Sequence, residues 1–390
     1  SLLYNYRFLI NSQCMRAIML FSKYPSIEQF RHFLKDANYF RNLDNIDIAK
    51  QFEKIKLVGS VKIHGSNSAI VYDYFTKDIY TQSRNRLLSL EEDNAGFAAY
   101  VEANKEFYKE ALAKIYDHIA KNYVLTDEYN GDQRIATKLF VYGEWAGKGV
   151  QAKVAVSEVD KFFAPFQIKL ADNSEEVYFC ANLGNIDLYK RHCNYEDVRF
   201  AVDHIYSEEH RCFPISLFEK FEVEVDMSAP EKAQQEIVDM TIRVEDECPV
   251  GKYFGVSGVG EGIVFNGFVQ YNEDGKVKYK HFSFKSKGEK HSASKVKTLN
   301  PVDVEKIEKI NEFVDYSVTE QRLEQGISYL QEMQHEVDVQ NIGVFLKWVV
   351  SDVMKEENDT IEANGLDKKM LPKKISEKAR KWFFDKLNHI

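Results

Sequence analysis

Proline and tryptophan are scarce in this chain of 390 residues, at 7 and 3, and there are 5 cysteines. Those cysteines, Cys14, Cys180, Cys193, Cys212 and Cys248, are odd in number and contain no C-x-x-C pair. Such usage excludes a disulfide framework and fits free thiols in a reducing compartment. Cys193 and Cys212 stand near His192, His204 and His210, but the spacing matches no standard zinc pattern. No apolar run approaches the roughly 18–20 residues that span a bilayer. Leu2 to Phe21 is fairly apolar, yet Arg7, Asn11, Gln13 and Arg16 interrupt it and it lacks a small-residue cleavage site. Neither a membrane span nor a secretory signal is expected, and the expected location is cytoplasmic. Cations are also in deficit: the formal net charge is -9. That excludes a uniformly basic coat, so any nucleic-acid surface must be local.

What is present is an ordinary globular composition, 44% hydrophobic and 29% charged, long enough for two or three domains. Ser26 can cap a helix that carries Phe30, Phe33 and Leu34 at helical spacing. Strands are predicted over 55–61, 68–74, 137–142, 162–170 and 177–181, and one long amphipathic helix over 96–123. Ser228-Ala229-Pro230-Glu231 opens another helix. Residues 262–271 and 276–285 form a hairpin around Asn272-Glu273-Asp274-Gly275. Beyond Asn300-Pro301 glycine and β-branched runs thin out, and four apolar-periodic segments predict an all-helical tail.

Chemistry gathers at strand ends. Val61-Lys62-Ile63-His64-Gly65-Ser66-Asn67 places a lysine between two strands, where burial of an ammonium is costly unless it is paired. A desolvated lysine can act as a nucleophile; alone, the stretch also reads as a surface turn. Ser83-Arg84-Asn85-Arg86 follows a strand and offers guanidinium groups to phosphate or ribose oxygens. Tyr142-Gly143-Glu144-Trp145-Ala146-Gly147 sets a carboxylate among glycines, suited to a sugar hydroxyl or a metal ion. Glu261-Gly262-Ile263-Val264 repeats that arrangement. In Phe284-Lys285-Ser286-Lys287 strand alternation puts two lysines on one face, where they repel unless an anion lies between them. A nucleophile, two acids and a lysine pair form the inventory for attack on a nucleoside triphosphate with metal assistance.

In this order the motifs resemble the covalent nucleotidyltransferases, specifically the ATP-dependent, phage-type RNA ligase 2 branch. The likeness runs through Lys62 to Asn67, Ser83-Arg84, Tyr142 to Gln151, Phe163 with Phe166, Glu261 to Val264, and Lys285 to Lys287, and covers roughly residues 19–300. It implies an α+β fold: a nucleotidyltransferase (ATP-grasp-like ligase) domain of mostly antiparallel sheets with flanking helices over 1–300, and an all-helical domain over 301–390. It implies that Lys62 takes AMP from ATP as a lysyl-AMP phosphoramidate. His64 and Asn67 would lie beside the phosphate, Arg84 would contact sugar or phosphate, Glu144 the ribose, and Phe163 would stack on adenine. Glu261 would work with the catalytic Mg2+ or Mn2+, and Lys285 and Lys287 would bind the α-phosphate. The implied partners are RNA ends, in a nicked duplex or a broken structured RNA, and the implied state is a monomer engaged in RNA repair.

Burial, the lysine pair and a divalent cation are all expected to lower the pKa of Lys62. Two positions depart from the family pattern: Val61 stands where an acid can help read adenine, and Asn266 replaces a lysine. Lys368, Lys369, Lys373, Lys374, Lys378, Arg380, Lys381 and Lys386 make the last stretch basic, either a phosphate-tracking face or a solvated helix. A second basic run includes Lys290, His291 and Lys295. The alternatives to RNA ligation are a DNA ligase, a capping guanylyltransferase, or a non-catalytic RNA-binding protein with a degenerate pocket.

Overall fold

The computed structural model describes residues 19–25, 27–184, 186, 195–288 and 306–389. Ser26, Cys14, His192, Cys193, Lys290, His291, Lys295 and the Asn300-Pro301 boundary lie outside the described residues.

Strands are β1 (Glu28–Gln29), β2 (Lys54–Lys62), β3 (Ser66–Asp73), β4 (Asp78–Ser83), β5 (Leu125–Thr126), β6 (Gln133–Arg134), β7 (Lys138–Ala146), β8 (Phe162–Ala171), β9 (Val177–Asn182), β10 (Lys220–Asp226), β11 (Gly262–Glu273) and β12 (Lys276–Lys287). Helices are α1 (Phe30–Arg41), α2 (Ile46–Gln51), α3 (Phe97–Ala103), α4 (Lys105–Ile119), α5 (Tyr195–Ile205), α6 (Glu231–Asp246), α7 (Pro249–Tyr253), α8 (Lys306–Ser317), α9 (Glu320–Glu332), α10 (Ile342–Glu356), α11 (Asn358–Ala363) and α12 (Leu371–Leu387).

Two five-stranded sheets carry the body, in orders β1-β12-β11-β2-β10 and β4-β3-β7-β8-β9. All of their pairings are antiparallel except that of β1 with β12. The expected α+β architecture with a helical C-terminal region is what the chain adopts. The first sheet buries Leu57, Phe221, Val223, Phe265 and Phe284 against Phe33 and Ile237 of α1 and α6. The second buries Ile70, Leu139, Val141 and Ile168 against Leu112, Ile115 and Val202 of α4 and α5. The helices from α8 onward close around their own core, which includes Phe313, Leu330, Phe345, Val349 and Phe383.

The β11–β12 hairpin turns at Asp274 (φ 51°) and Gly275 (φ 75°). Positive φ at both central residues matches the right-handed twist of the flanking strands. The single long helix expected over 96–123 is broken instead. Asn104 leaves helical geometry at φ -114°, ψ 22°, its amide donates to the Tyr100 carbonyl at 2.8 Å, and its Oδ1 pairs with His210 Nδ1 at 2.7 Å. Short polar side chains favour such local bonds over a continuing helix. Ser228 does not cap α6 either; it donates to Asp226, and Pro230 takes the cap position. The sequence reading passed over α5 and β10, although Lys220–Asp226 alternates without a break, with Phe221, Val223 and Val225 buried.

Among the described residues no three of His, Cys, Asp and Glu gather to hold a metal ion, and no helix is long and apolar enough to cross a membrane.

Candidate active site

The chain passes from the first sheet to the second in three residues. β2 ends at Lys62 and β3 begins at Ser66, so the lysine stands where the two sheets diverge. The turn between them is tight: a Cβ on Gly65 would lie 2.3 Å from the Trp145 carbonyl oxygen. Only glycine fits, and its N–H donates to Glu144 Oε1 at 3.1 Å. Register then aligns the remaining groups. Glu144 pairs across from Asn67 in the second sheet, while Gly262 lies between Lys62 and Lys287 in the first. Alternation along β12 buries Phe284 and Ser286 and turns Lys285 and Lys287 to the opposite face.

A cavity of about 750 Å³ opens between the sheets. Lys62, His64, Asn67, Arg84, Glu144, Glu261, Lys285 and Lys287 all line it. Eight of the nine residues expected from sequence are thus brought together. At its floor Glu261, 2% exposed, holds Lys62 Nζ at 2.9 Å and Lys287 Nζ at 3.4 Å through Oε1, and His64 Nδ1 at 3.2 Å through Oε2. Burial alone would raise the Glu261 pKa, but the Lys62 and Lys287 ammonium groups outweigh it and hold the carboxyl well below its usual range.

Lys62 corrects an expectation. Burial does pull its pKa down, but the Glu261 and Glu144 carboxylates overcome that and leave it raised. In this state the lysine is a firmly held ammonium. Glu144 shows the reverse balance: burial pushes its pKa up to about 7, against the pull of Lys62 and with added repulsion from Glu261. Lys285 falls to about 8 through burial and the neighbouring Lys287 charge, partly offset by Glu356.

Phe163 is the second correction. It is fully buried in the second core, 5.1 Å from Phe97, and its ring fills the space that a side chain on Gly143 would occupy. It does not reach the cavity. Phe166 does, with Tyr24 at its edge, 5.0 Å away at 72°. Tyr24 is carried by a strap across the second sheet. Tyr80 and Tyr142 hydroxyls donate to the Leu20 and Ser22 carbonyls, each at 2.8 Å, and the Gln82 amide also donates to Ser22 at 2.8 Å.

The cavity has a wall that sequence reasoning missed altogether. Glu356 at the end of α10 places Oε1 3.3 Å from Lys285 Nζ and accepts from the Gln29 amide at 3.4 Å. Glu332 accepts from the Asn85 N–H and amide at 3.3 and 3.2 Å, and its carbonyl accepts from Arg86 Nε at 2.6 Å. Arg86 is therefore structural. Arg84 beside it makes no ion pair with described residues and stays exposed at the cavity. Nothing local in the α10 sequence marks Glu356, because it reads as one acid on a polar helix face.

The family model for RNA ligase matches residues 55–329, well over half of the chain. The chain belongs to the RNA ligase family. Lys62, Glu144, Glu261, Lys285 and Lys287 all fall inside the matched stretch, whereas Tyr24 precedes it and Glu356 follows it. No curated protein matches the chain. Similar solved structures include a Naegleria gruberi RNA ligase mutant with AMP and Mn, 16% identical, covering 69% of this chain and 56% of that one at a TM-score of 0.39. A mutant of the same ligase with ATP and Mn is 15% identical over 69% and 57%, also at 0.39. The same ligase with PPi is 16% identical over 69% and 56%, at 0.38. The chain spans a little over half the length of these proteins.

The basic end of this family member does not join the site. The α12 lysines are absent from the cavity lining, and Lys374, Lys378 and Lys386 pair with Glu377, Asp315 and Glu324. Lys368, ahead of α12, pairs with Glu362. α12 is anchored by Ile375, Ala379 and Phe383 in the helical core.

Proposed function

We propose that the chain is an ATP-dependent RNA ligase that works through lysyl-AMP, with residues 1–300 as the adenylyltransferase unit and 301–390 as a helical unit that covers its cavity. One observation carries the reading: Lys62, the buried Glu261 and the Lys285–Lys287 pair line one cavity, with Lys62 and Lys287 each within 3.4 Å of the Glu261 carboxylate. Lys62 first gives a proton to the Glu261 carboxylate 2.9 Å away. The neutral amine attacks the α-phosphate of ATP, the P–N bond forms as the bond to pyrophosphate breaks, and the second amine proton is lost to solvent. Lys285 and Lys287 meet the negative charge that grows on the α-phosphate. Glu144 accepts from the ribose hydroxyls, Arg84 and Asn67 hold phosphate oxygens, and Phe166 takes the stacking place expected of Phe163. AMP then passes to an RNA 5′-phosphate, and a 3′-hydroxyl attacks that activated end and releases AMP. Repair of broken RNA by a monomer fits this chemistry.

A divalent cation fits the site as a companion of the nucleotide. Glu261 is the carboxylate that joins Lys62 and Lys287, and its oxygens already serve Lys62, Lys287 and His64. Most of the ion's oxygen ligands would therefore come from the triphosphate, as is usual for Mg2+. Bound there, it would neutralise phosphate charge and favour loss of pyrophosphate.

The test is incubation with α-labelled ATP or GTP, followed by denaturing separation. Covalent label from ATP that disappears in Lys62→Ala is expected. Label from GTP alone would overturn the ligase reading in favour of a capping enzyme, and no Lys62-dependent label would leave only a binding protein.

A further inference from the structure

The cavity has two aromatic walls, and the nucleotide accounts for one. Phe166 of the second sheet and Tyr24 of the strap that crosses it stand on the side of Glu144 and Arg84. On the facing helices Trp348 of α10 and Tyr329 of α9 also line the cavity, stacked with centroids 6.1 Å apart at 25°. Both rings are half-buried. Gly326 leaves room for this wall, since a Cβ there would lie 2.7 Å from the Phe345 ring and 3.3 Å from the Trp348 indole.

The wall is tied to the nucleophile. Ser328 Oγ donates to Gln151 Oε1 at 3.1 Å, and Gln151 Nε2 donates to the Gly65 carbonyl at 3.3 Å. Two hydrogen bonds thus join α9 to the turn that follows Lys62. Around the rings the α9 face presents Gln321, Gln325 and Ser328, uncharged groups able to donate or accept. The same side carries Asp352, Glu356 and Glu357 against Lys355 and an Arg322 already paired with Asp352 and Glu357, so a phosphate would meet more negative than positive charge there. A flat heterocycle with polar edges would find a stacking face and hydrogen-bond partners together.

We propose that Trp348, backed by Tyr329, is a stacking platform for a nucleobase of the RNA strand brought to the activated lysine. The proposal rests on the ligase reading and adds to it the place where an RNA base is held. Stacking on an aromatic ring tolerates any base, because each has a π-face. The site therefore orients the strand end without selecting its sequence.

Two measurements test it on the full chain. In the first, a single-stranded RNA 12-mer is added without ATP, and the tryptophan emission of wild type is compared with that of Trp348→Phe. Quenching that is present in wild type and lost in the variant is expected; equal quenching overturns the platform. In the second, pre-adenylylated nicked RNA is sealed by Trp348→Ala and Trp348→Phe. The alanine variant is expected to raise KM roughly 5- to 100-fold, the phenylalanine variant to recover most of it, and Lys62 labelling by ATP to be unchanged in both. An unchanged KM in Trp348→Ala, or a parallel loss of Lys62 labelling, overturns the proposal, because the ring would then serve nothing or only the fold. Absence of Lys62 labelling in wild type would sink the ligase reading instead, while the emission measurement still decides whether RNA meets Trp348.

Discussion

Lys285 is the most sensitive charge in the site because it is desolvated, sits beside Lys287, and has Glu356 as its counter-ion. Its pKa of about 8 lies below the ordinary lysine value of 10.5. The free protein therefore carries this charge below pH 8 and loses it above. A triphosphate binds the charged form and in doing so holds the proton, so the sign is fixed. Above the Glu144 titration near 7, affinity for a non-hydrolysable ATP analogue should fall as pH rises through about 8, by up to roughly tenfold per unit. Lys285→Arg, which stays charged, should flatten that profile. Titration calorimetry across the range checks both; a wild-type profile that stays flat to pH 9.5 would show that Lys285 does not face the phosphates. The lysine pair itself was legible in the sequence, since alternation along a strand is local. The protonation state of Lys62 was not, because it depends on Glu261 and Glu144, which the chain supplies 199 and 82 positions later and only folding brings near.

Elements decide what single residues cannot. Phe163 and Phe166 stand three apart in one strand, so on regular alternation they face opposite sides, and the sequence alone does not say which side is wet. The structure shows why Phe166 is the one. The β7–β8 register shifts between Tyr142 and Gly143, whose partners are Gln167 and Pro165, so Phe166 is the extra residue of a bulge. Bulges next to functional sites re-aim a side chain. The substitutions should separate cleanly. Phe166→Ala should weaken binding of the ATP analogue by roughly five- to tenfold or more while Tm changes little, through lost stacking. Phe163→Ala should cost about 3–5 kcal/mol of stability by opening a core cavity, with analogue affinity nearly kept in the folded fraction. Thermal melts and calorimetry on both variants make the comparison; equal loss of affinity at equal Tm would return adenine to Phe163. The same lesson applies to the broken helix at Asn104. Its apolar periodicity predicted one helix, and a side chain bonded to His210, 106 residues away, ends it.

At the scale of the whole molecule, the helical unit meets the two-sheet body through charged and polar contacts. Lys285 pairs with Glu356, Asn85 and Arg86 hold Glu332, Gln151 holds Ser328, and Arg31 and Lys153 pair with Asp359 and Glu320. Each hydrophobic core stays on its own side. The partly exposed Arg31–Asp359 and Lys153–Glu320 pairs contribute little individually, so away from the more deeply buried Lys285–Glu356 contact the unit is held by weak contacts. The separate helical core was legible from the change of periodicity beyond residue 300; that its polar face walls the cavity was not, because no local pattern encodes a contact between Lys285 and Glu356. That contact has a consequence for ligand binding. The Glu356 carboxylate stands beside Lys285, where the proposed ligase reading puts a phosphate oxygen, and the Lys285 and Lys287 charges hold it ionised, with a pKa below the usual value despite burial. On that reading a triphosphate displaces it. In Glu356→Gln the neutral amide competes poorly, so at pH 6.5, where Lys285 stays charged, the ATP analogue should bind about fivefold tighter, equivalent to roughly 1 kcal/mol. Hydrogen exchange at the end of α10 should quicken in the variant without ligand, and in wild type on adding the analogue. Unchanged or weaker binding by Glu356→Gln would mean that the carboxylate and the phosphates occupy the lysine pair together, with the helical unit closed throughout.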